Sequence, residues 1–186
     1  MQWQKAKTVC MAVSLALSMW ATAGSANAAL AVGAAAPVFT TQAAFAGKAQ
    51  PFDMAAALKQ GPVVLYFFPK AFTQGCTMEA HAFAEATPQF QALGARVVGM
   101  SHDDIATLQK FSTEACRDQF VVASDPDAKT IQAYDAGSAA RPGTASRISY
   151  VIAPNGKVLF AHEGSDPAEH VERTLKAVQQ WKAAQR

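Results

Sequence analysis

The sequence is short of both charge and cysteine. Of its 186 residues, 16% are charged, three are cysteines, and 51% belong to the hydrophobic set. This composition excludes collagen-like, coiled-coil and disordered chains, because the biases in glycine, charge or repeat that define those classes are missing. No internal repeat, low-complexity tract or second domain is visible. The composition therefore predicts one globular domain with enough apolar residues for a core.

The first 28 residues have the composition of a secretory signal peptide. Lys5 and Lys7 precede the apolar stretch 8–20, and the small residues of Ala26-Asn27-Ala28 follow it. Signal peptidase accepts small residues at the first and third positions before its cut, so we expect cleavage after Ala28. The apolar stretch is too short for a membrane anchor. These features predict a periplasmic or secreted protein whose single domain spans residues 29–186.

The charge balance does not point to a polyanionic partner. The two lysines of the signal peptide account for the whole excess of 16 Lys and Arg over 14 Asp and Glu. Because residues 29–186 are formally neutral, we expect no binding to nucleic acid and, after cleavage, none to a membrane.

Hydrophobic patterning predicts alternating strands and helices. The apolar run Val63–Phe68, between Gly61-Pro62 and Pro69, predicts a central strand that is buried on both faces. Pro154-Asn155-Gly156 predicts a tight turn between two late strands, since Asn-Gly accepts positive φ angles. The other predicted strands are an edge strand at 33–39 and strands at 97–100, 120–123, 147–152 and 157–160. The predicted helices cover 52–58, 77–93, a segment from Asp103 or Asp104 to about Cys116, 125–134 with Asp125 as N-cap, and 166–184.

This order of elements predicts a mixed central sheet with helices on both faces and an antiparallel hairpin at one edge. The predicted fold class is therefore α/β, with the layout of the thioredoxin-like fold.

Cys76 follows the predicted central strand and stands where the next helix starts. The N-terminus of a helix offers unpaired N–H groups and the positive end of the helix dipole, and both favour a thiolate over a thiol. Cys76 is therefore a candidate reactive sulfur. The plainer interpretation is a structural disulfide with Cys116, because Cys10 leaves with the signal peptide and exported proteins commonly pair their cysteines.

The spacing Pro69-x-x-x-Thr73-x-x-Cys76 resembles the active-site motif of the peroxiredoxins. The resemblance covers nearly all of residues 29–186, and it is strongest to the Q-type branch, the bacterioferritin-comigratory-protein group. The further matching segments are 66–80, 97–101, Ser124-Asp125, and Arg147–Ile152 before Gly156-Lys157.

This resemblance implies a peroxidase that reduces hydrogen peroxide and organic hydroperoxides. It further implies a thiol reductant, either a thioredoxin-like protein or a small thiol, and a monomeric protein.

The resemblance also implies a role for each residue of the motif. The Cys76 thiolate would attack the peroxide and become a sulfenic acid. Arg147 would favour the thiolate and donate to the peroxide, and the Thr73 hydroxyl would accept a hydrogen bond from the hydroperoxide. Gly75 would allow a close approach to the backbone, whose free N–H groups complete the set of donors. Pro69 would restrict the loop and shield the sulfur from water.

The resolving step departs from the common Q-type pattern. Many members carry a resolving cysteine five residues after the peroxidatic one, and here that position is His81. Either Cys116 attacks the sulfenic acid or an external thiol does. We favour Cys116, since exported proteins seldom retain an idle second cysteine. Its disulfide with Cys76 needs Cα atoms within about 7 Å, which predicts local unfolding of the first helical turn.

The residues after Cys76 argue against two related functions. A disulfide exchanger of the thioredoxin type needs a second cysteine where Glu79 stands, and a copper-delivery protein needs one at Ala80. The remaining alternative is a non-catalytic exported domain with a structural Cys76–Cys116 disulfide. The four histidines are scattered and form no ligand set, so neither a metal nor a cofactor is predicted.

Overall fold

Residues 29–185, which the computed structural model describes, form a seven-stranded mixed sheet with helices on both faces. The predicted thioredoxin-like α/β class is confirmed, while the predicted signal peptide lies outside the described residues. The strands are β1 Thr40–Phe45, β2 Lys48–Asp53, β3 Val63–Phe67, β4 Arg96–Ser101, β5 Val121–Ser124, β6 Ile148–Ile152 and β7 Val158–Glu163. The helices are α1 Met54–Leu58, α2 Gln74–Ala92, α3 Ile105–Glu114, α4 Lys129–Ala133 and α5 Pro167–Ala183.

The central strand is β3, which pairs in parallel with β4 and antiparallel with β6. The strand order across the sheet is β2-β1-β5-β4-β3-β6-β7. All five residues of β3 are buried. Val63 and Leu65 pack with α1 and α4 on one face, and Val64 and Tyr66 pack with α2, α3 and α5 on the other. A strand buried on both faces was predicted from its continuous apolar run, and this prediction is confirmed.

The segment before β3 differs from the prediction. The predicted edge strand at 33–39 is wrong, because this segment contributes only one isolated bridge, between Ala35 and Lys157. The strands here are instead β1 and β2, an antiparallel hairpin that turns at Ala46 and Gly47. Strand β1 joins the sheet through β5.

Three helices begin at other residues than predicted. Helix α1 begins at Met54 instead of Phe52, because Phe52 and Asp53 belong to β2. Helix α2 begins at Gln74, three residues before the predicted start, so Cys76 lies inside its first turn. Helix α4 begins at Lys129, and its N-cap is Ala128 instead of Asp125. Asp125 still binds the start of that helix, because its carboxylate accepts from the backbone N–H groups of Lys129, at 3.1 Å, and Ile131, at 2.8 Å.

The predicted hairpin of β6 and β7 is confirmed, with Gly156 at φ 77° in its turn. The last helix, α5, begins as predicted with Asp166 as N-cap and Pro167 in the first turn. Helix α5 packs against α2 and β6, so it covers the same face of the sheet as the helix that carries Cys76.

Candidate active site

Cys76 lies in the interior although it stands at a helix end. The chain leaves β3 at Phe67, crosses a short loop and enters α2 at Gln74. The Cys76 side chain points into the core shared by α2, α3 and α5, and only 1% of the residue is exposed. The first N–H groups of an α-helix have no partner within the helix, and Thr73, the N-cap of α2, makes no side-chain bond to them. The sulfur thus lies close to uncapped backbone donors.

Arg147 reaches Cys76 from the neighbouring strand. Register pairs Phe67 of β3 with Ile148 of β6, so Arg147 lies beside the end of β3, where the loop to α2 starts. Its Nη2 atom donates to the Sγ atom of Cys76 at 3.5 Å. The side chain of Arg147 is 12% exposed, so water screens its charge only weakly. The structure therefore brings together the predicted sulfur and the predicted cation.

Gly75 provides the space for this contact. A Cβ atom at this position would lie 3.1 Å from Nη2 of Arg147, which is tighter than ordinary packing allows. The predicted close approach at Gly75 is therefore an approach of the guanidinium group.

Thr73 and Pro69 lie on the loop that leads to Cys76. Thr73 is exposed, and its Oγ1 donates to the carbonyl of Lys70 at 2.9 Å. Because that bond uses the hydroxyl hydrogen, the lone pairs of the oxygen remain free to accept a hydrogen bond from a ligand. Pro69 is half-buried directly after β3.

Asp103, which sequence reasoning considered only as a helix cap, holds the same loop in place. Its Oδ2 accepts from the backbone N–H of Ala71 and from the hydroxyl of Ser101, both at 2.8 Å. Phe72, which follows Ala71, has a left-handed backbone at φ 63°. Its ring packs edge-on against Phe111, with 5.3 Å between the ring centroids. A non-glycine residue in that region is strained, so these contacts keep the loop in an unfavourable shape.

Glu79, one turn after Cys76, is fully buried, and its Oε2 accepts a hydrogen bond from Nη1 of Arg147. Burial raises the pKa of Glu79 to about 8, and the charge and hydrogen bond of Arg147 oppose this shift without cancelling it. One guanidinium group therefore contacts both the sulfur and a buried acid. Glu79 is a site residue beyond those predicted from the sequence, and the Cys-x-x-Glu spacing on one helix face is the signal that indicates it.

His170, on α5, lies behind the contact between Arg147 and Glu79, although the scattered histidines of the sequence predict no shared site. His170 is fully buried, and its Nδ1 atom lies 3.9 Å from Oε1 of Glu79. Burial is the largest of the effects that lower the pKa of His170, to about 4. No local pattern could have revealed the contact, because it depends on how α5 packs on the sheet.

Cys116 lies just beyond the end of α3, in the same core as Cys76. Both are free thiols in this structure, and a structural disulfide between them is not favoured. Cys116 is fully buried, and burial, with a smaller effect of Asp118, raises the pKa of its thiol well above the ordinary value. In this packed state Cys116 is therefore a weak nucleophile. His81, at the position of the common resolving cysteine, is half-buried on α2.

A model of the AhpC/TSA family matches residues 32–161. The chain therefore belongs to this family. Among its relatives is the chloroplastic peroxiredoxin Q of Triticum aestivum, which is 34% identical over 122 residues, or 65% of this chain and 56% of that protein. The chloroplastic peroxiredoxin Q of Sedum lineare is 33% identical over 125 residues, or 67% of each. The resemblance to Q-type peroxiredoxins is thereby confirmed.

Solved structures agree with this assignment. The chain superposes on peroxidoxin BcpB of Mycobacterium tuberculosis with a TM-score of 0.72 and 26% identity, covering 80% of this chain and 96% of that one. It superposes on peroxiredoxin Q of Xanthomonas campestris with a TM-score of 0.67 and 25% identity, covering 76% and 90%. The match to the first curated relatives spans little more than half of their length, 56% for the wheat protein.

Two further properties concern the described residues only. Between residues 29 and 185, none of the helices has the length and hydropathy that crossing a bilayer requires. Within the same range, no group of three or more His, Cys, Asp and Glu side chains is arranged to hold a metal ion.

Proposed function

We propose that this chain is a thiol-dependent peroxidase for hydrogen peroxide and organic hydroperoxides. The observation that carries the proposal is the 3.5 Å contact between the Arg147 guanidinium and the Cys76 sulfur at the first turn of α2. A cation and a helix N-terminus both stabilise a thiolate, which is the reactive form of cysteine. Membership of the AhpC/TSA family supports the same chemistry.

In the proposed reaction the Cys76 thiolate attacks the nearer oxygen of the hydroperoxide. The S–O bond forms while the O–O bond breaks, and the leaving alkoxide or hydroxide takes up a proton to become an alcohol or water. The products are a sulfenic acid on Cys76 and the reduced peroxide. Arg147 and the free N–H groups at Gly75 and Cys76 would stabilise the negative charge that develops on the oxygens. Thr73 would orient the hydroperoxide by accepting a hydrogen bond from its O–H group. Pro69 would limit access of water.

We further propose that Cys116 resolves the sulfenic acid. The Cys116 thiolate would attack the Cys76 sulfur, giving a Cys76–Cys116 disulfide and releasing water. Because Cys116 is buried and its pKa is raised, this step requires the end of α3 and the first turn of α2 to open. A thiol reductant, either a thioredoxin-like protein or a small thiol, would then reduce the disulfide. The competing route is direct attack of that external thiol on Cys76.

We also propose that the protein is a monomer that is periplasmic or secreted, with its signal peptide cleaved after Ala28. The composition of residues 1–28 supports export, and the neutral remainder supports the absence of nucleic-acid and membrane partners. The mass of the protein purified from its native host tests the cleavage site, and light scattering during gel filtration tests the monomer.

Stopped-flow mixing of the reduced protein with hydrogen peroxide tests the peroxidase. We expect rapid oxidation that is abolished in Cys76→Ser and retained in Cys116→Ser for the first turnover. A Cys76→Ser protein that consumes peroxide at the parental rate would refute the proposal.

Mass spectrometry after one equivalent of peroxide tests the resolving step. We expect the parent protein to lose two hydrogen atoms as an intramolecular disulfide, and Cys116→Ser to accumulate sulfenic or sulfinic acid. A parent protein that also stops at the sulfenic acid would instead favour the external thiol.

A further inference from the structure

A buried polar group lies behind the hydrogen bond between Arg147 and Glu79. It consists of Glu79 on α2, Ser149 on β6 and His170 on α5, and all three residues are fully buried. Three elements thus contribute one polar side chain each to an otherwise apolar core. Such groups are costly to bury unless their hydrogen bonds are satisfied, so the direction of each bond matters.

The partners of His170 determine its tautomer. Its Nε2 atom lies 3.1 Å from the carbonyl oxygen of Gly164, which can only accept, so Nε2 carries the hydrogen. The ring is neutral at pH 7, because burial and the nearby charge of Arg147 lower the pKa of His170 to about 4. In a neutral imidazole with a hydrogen on Nε2, Nδ1 is an acceptor. The Ser149 hydroxyl, 2.8 Å away, therefore donates to Nδ1.

The Oε1 atom of Glu79 consequently faces Nδ1 of His170, which is an acceptor. Its Oε1 atom lies 3.9 Å from Nδ1 of His170 and has no hydrogen-bond partner in the described part of the chain. An ionised Oε1 would be buried without a donor and beside a ring nitrogen that is itself an acceptor, so nothing on this side would compensate its charge. This arrangement favours the neutral carboxyl group, as does the burial that raises the pKa of Glu79.

The other titratable groups near Glu79 and His170 do not reverse the preference of Glu79 for its neutral form. Tyr66 of β3 and Cys76 of α2 face the same region and carry either no charge or a negative one. His162 of β7 and Glu169 of α5 surround His170, and their electrostatic effects on it have opposite signs. Arg147 is thus the one permanent cation that acts on both Glu79 and His170 among the described residues.

We propose that His170 is a positioning residue of the active site: held in one tautomer by Gly164 and Ser149, it keeps Glu79 neutral, so that the charge of Arg147 stays uncancelled for Cys76. This inference rests on the peroxidase function proposed above. It assigns Glu79 the role of a buried acid that holds a proton while the enzyme is active. An ionised Glu79 would neutralise the guanidinium group and weaken its stabilisation of the thiolate.

The dependence of the peroxide reaction on pH tests this role. For the parent protein we expect the rate constant to fall as pH rises through about 8, where Glu79 ionises. Glu79→Gln mimics the neutral acid, so we expect it to keep most of the parental rate at pH 7 and to lack the alkaline fall. If the ionised pair were instead the active form, Glu79→Gln would lose activity at pH 7, and the proposal would be wrong.

Two matched substitutions separate His170's electrostatic role from packing. His170→Asn retains an acceptor near the position of Nδ1, and His170→Gln retains a donor near Nε2 but no acceptor for Ser149. We expect the alkaline fall to stay at the parental pH in the Asn variant and to move about one pH unit lower in the Gln variant, a tenfold change in the ionisation of Glu79. Equal profiles for the parent and both variants would overturn the proposal.

A smaller change covers the case in which a His170 variant does not fold. Ser149→Ala removes the donor to Nδ1 and leaves this nitrogen free to take up a proton and donate to Glu79. The alkaline fall should then also move to lower pH. Ser112→Ala is the control, since Ser112 is an equally buried serine that bonds Gln109 and Gly47 instead. An unchanged profile in Ser149→Ala would count against the proposal.

Infrared difference spectra of the parent minus Glu79→Gln give a readout that does not need peroxide. At pH 7 we expect the band of a protonated carboxyl group in the parent, and a weaker band when the same difference is taken in the His170→Gln background. A carboxylate band in the parent would overturn the inference even if the enzyme is active. A parent protein without Cys76-dependent peroxide consumption would refute the proposed function, whichever band is observed.

Discussion

The Nη2 atom of Arg147 lies 3.5 Å from the Sγ atom of Cys76, although 71 residues separate them in the sequence. The contact depends on the sheet, because β6 pairs with β3 and so places Arg147 beside the loop that leads to Cys76. A strand pair is a rigid support for a catalytic group. The guanidinium group also contacts Glu79, so its position is fixed from two sides.

Replacing Arg147 should slow oxidation of Cys76 without unfolding the protein. Arg147→Lys keeps a positive charge but cannot contact Cys76 and Glu79 simultaneously with two nitrogen atoms. We expect the second-order rate constant with hydrogen peroxide to fall by about 10²- to 10³-fold, the usual effect of removing one such donor. Stopped-flow fluorescence measures it, and Arg141→Lys, at an exposed position, is the control. A parental rate in Arg147→Lys would mean that the contact is not catalytic.

Gly75→Ala should separate stability from activity. The new Cβ would lie 3.1 Å from Nη2 of Arg147 and push the guanidinium away by a few tenths of an ångström. We expect the rate constant to fall about tenfold, since small misplacements of catalytic groups are costly. Stability should stay the same or rise by about 0.5 kcal/mol, because alanine favours a helix more than glycine does. The neighbouring exposed substitution Gln74→Ala should change neither quantity, and a matching loss of rate there would contradict this interpretation.

Asp103 should be essential for the shape of the Pro69–Thr73 loop. Asp103→Ala leaves the buried N–H of Ala71 without its acceptor, which should cost about 1–3 kcal/mol in urea denaturation. The rate constant should also fall, because Thr73 is no longer held in position. Asp103→Asn retains one acceptor oxygen and should recover part of both losses. If the Ala and Asn variants behave alike, the hydrogen bond to Ala71 is not what holds the loop.

The free energy of unfolding should fall between about pH 6.5 and 8. The pKa of Glu79 is raised from 4.5 to about 8, so the folded state binds a proton more tightly there, and this contribution decreases with rising pH. The pKa of His170 is lowered from 6.5 to about 4, which has the opposite effect over that lower range. The two oppose each other below about pH 6.5, and Glu79 acts alone above it.

We therefore expect a loss of about 2 kcal/mol from pH 6.5 to 8, since one proton changes the free energy by about 1.4 kcal/mol per pH unit. Urea denaturation at a series of pH values measures this loss. Glu79→Gln should be insensitive to pH over the same interval. A parental slope in Glu79→Gln would assign the loss to another group.

The strong local signals of the sequence predicted the centre of the fold. The apolar run of β3, the Asn155-Gly156 turn and the helix start at Asp166-Pro167 each depend on neighbouring residues, and each was confirmed. The β1–β2 hairpin has no such signal, because segment 40–53 is rich in alanine and glutamine and contains Pro51. These strands form because β5 provides a partner for β1, which is a tertiary effect.

The site residues also divide into those that the sequence predicts and those that depend on tertiary contacts. The strand-to-helix pattern identified Cys76 as a candidate, and only the resemblance pointed to Thr73, Pro69 and Arg147. The contact of Arg147 with the sulfur follows from the register of β6 on β3. The polar group of Glu79, Ser149 and His170 depends on three separate elements meeting in the core, and no periodicity in any one of them indicates the other two.

The first turn of α2 has one further consequence. Thr73 gives it no side-chain cap, and the backbone bond from Thr77 to Thr73 is what closes it, at 2.9 Å. A helix end held in this way can fray while its later turns remain packed. The buried sulfur is therefore carried by a helix end that can open locally, as the proposed attack by Cys116 requires.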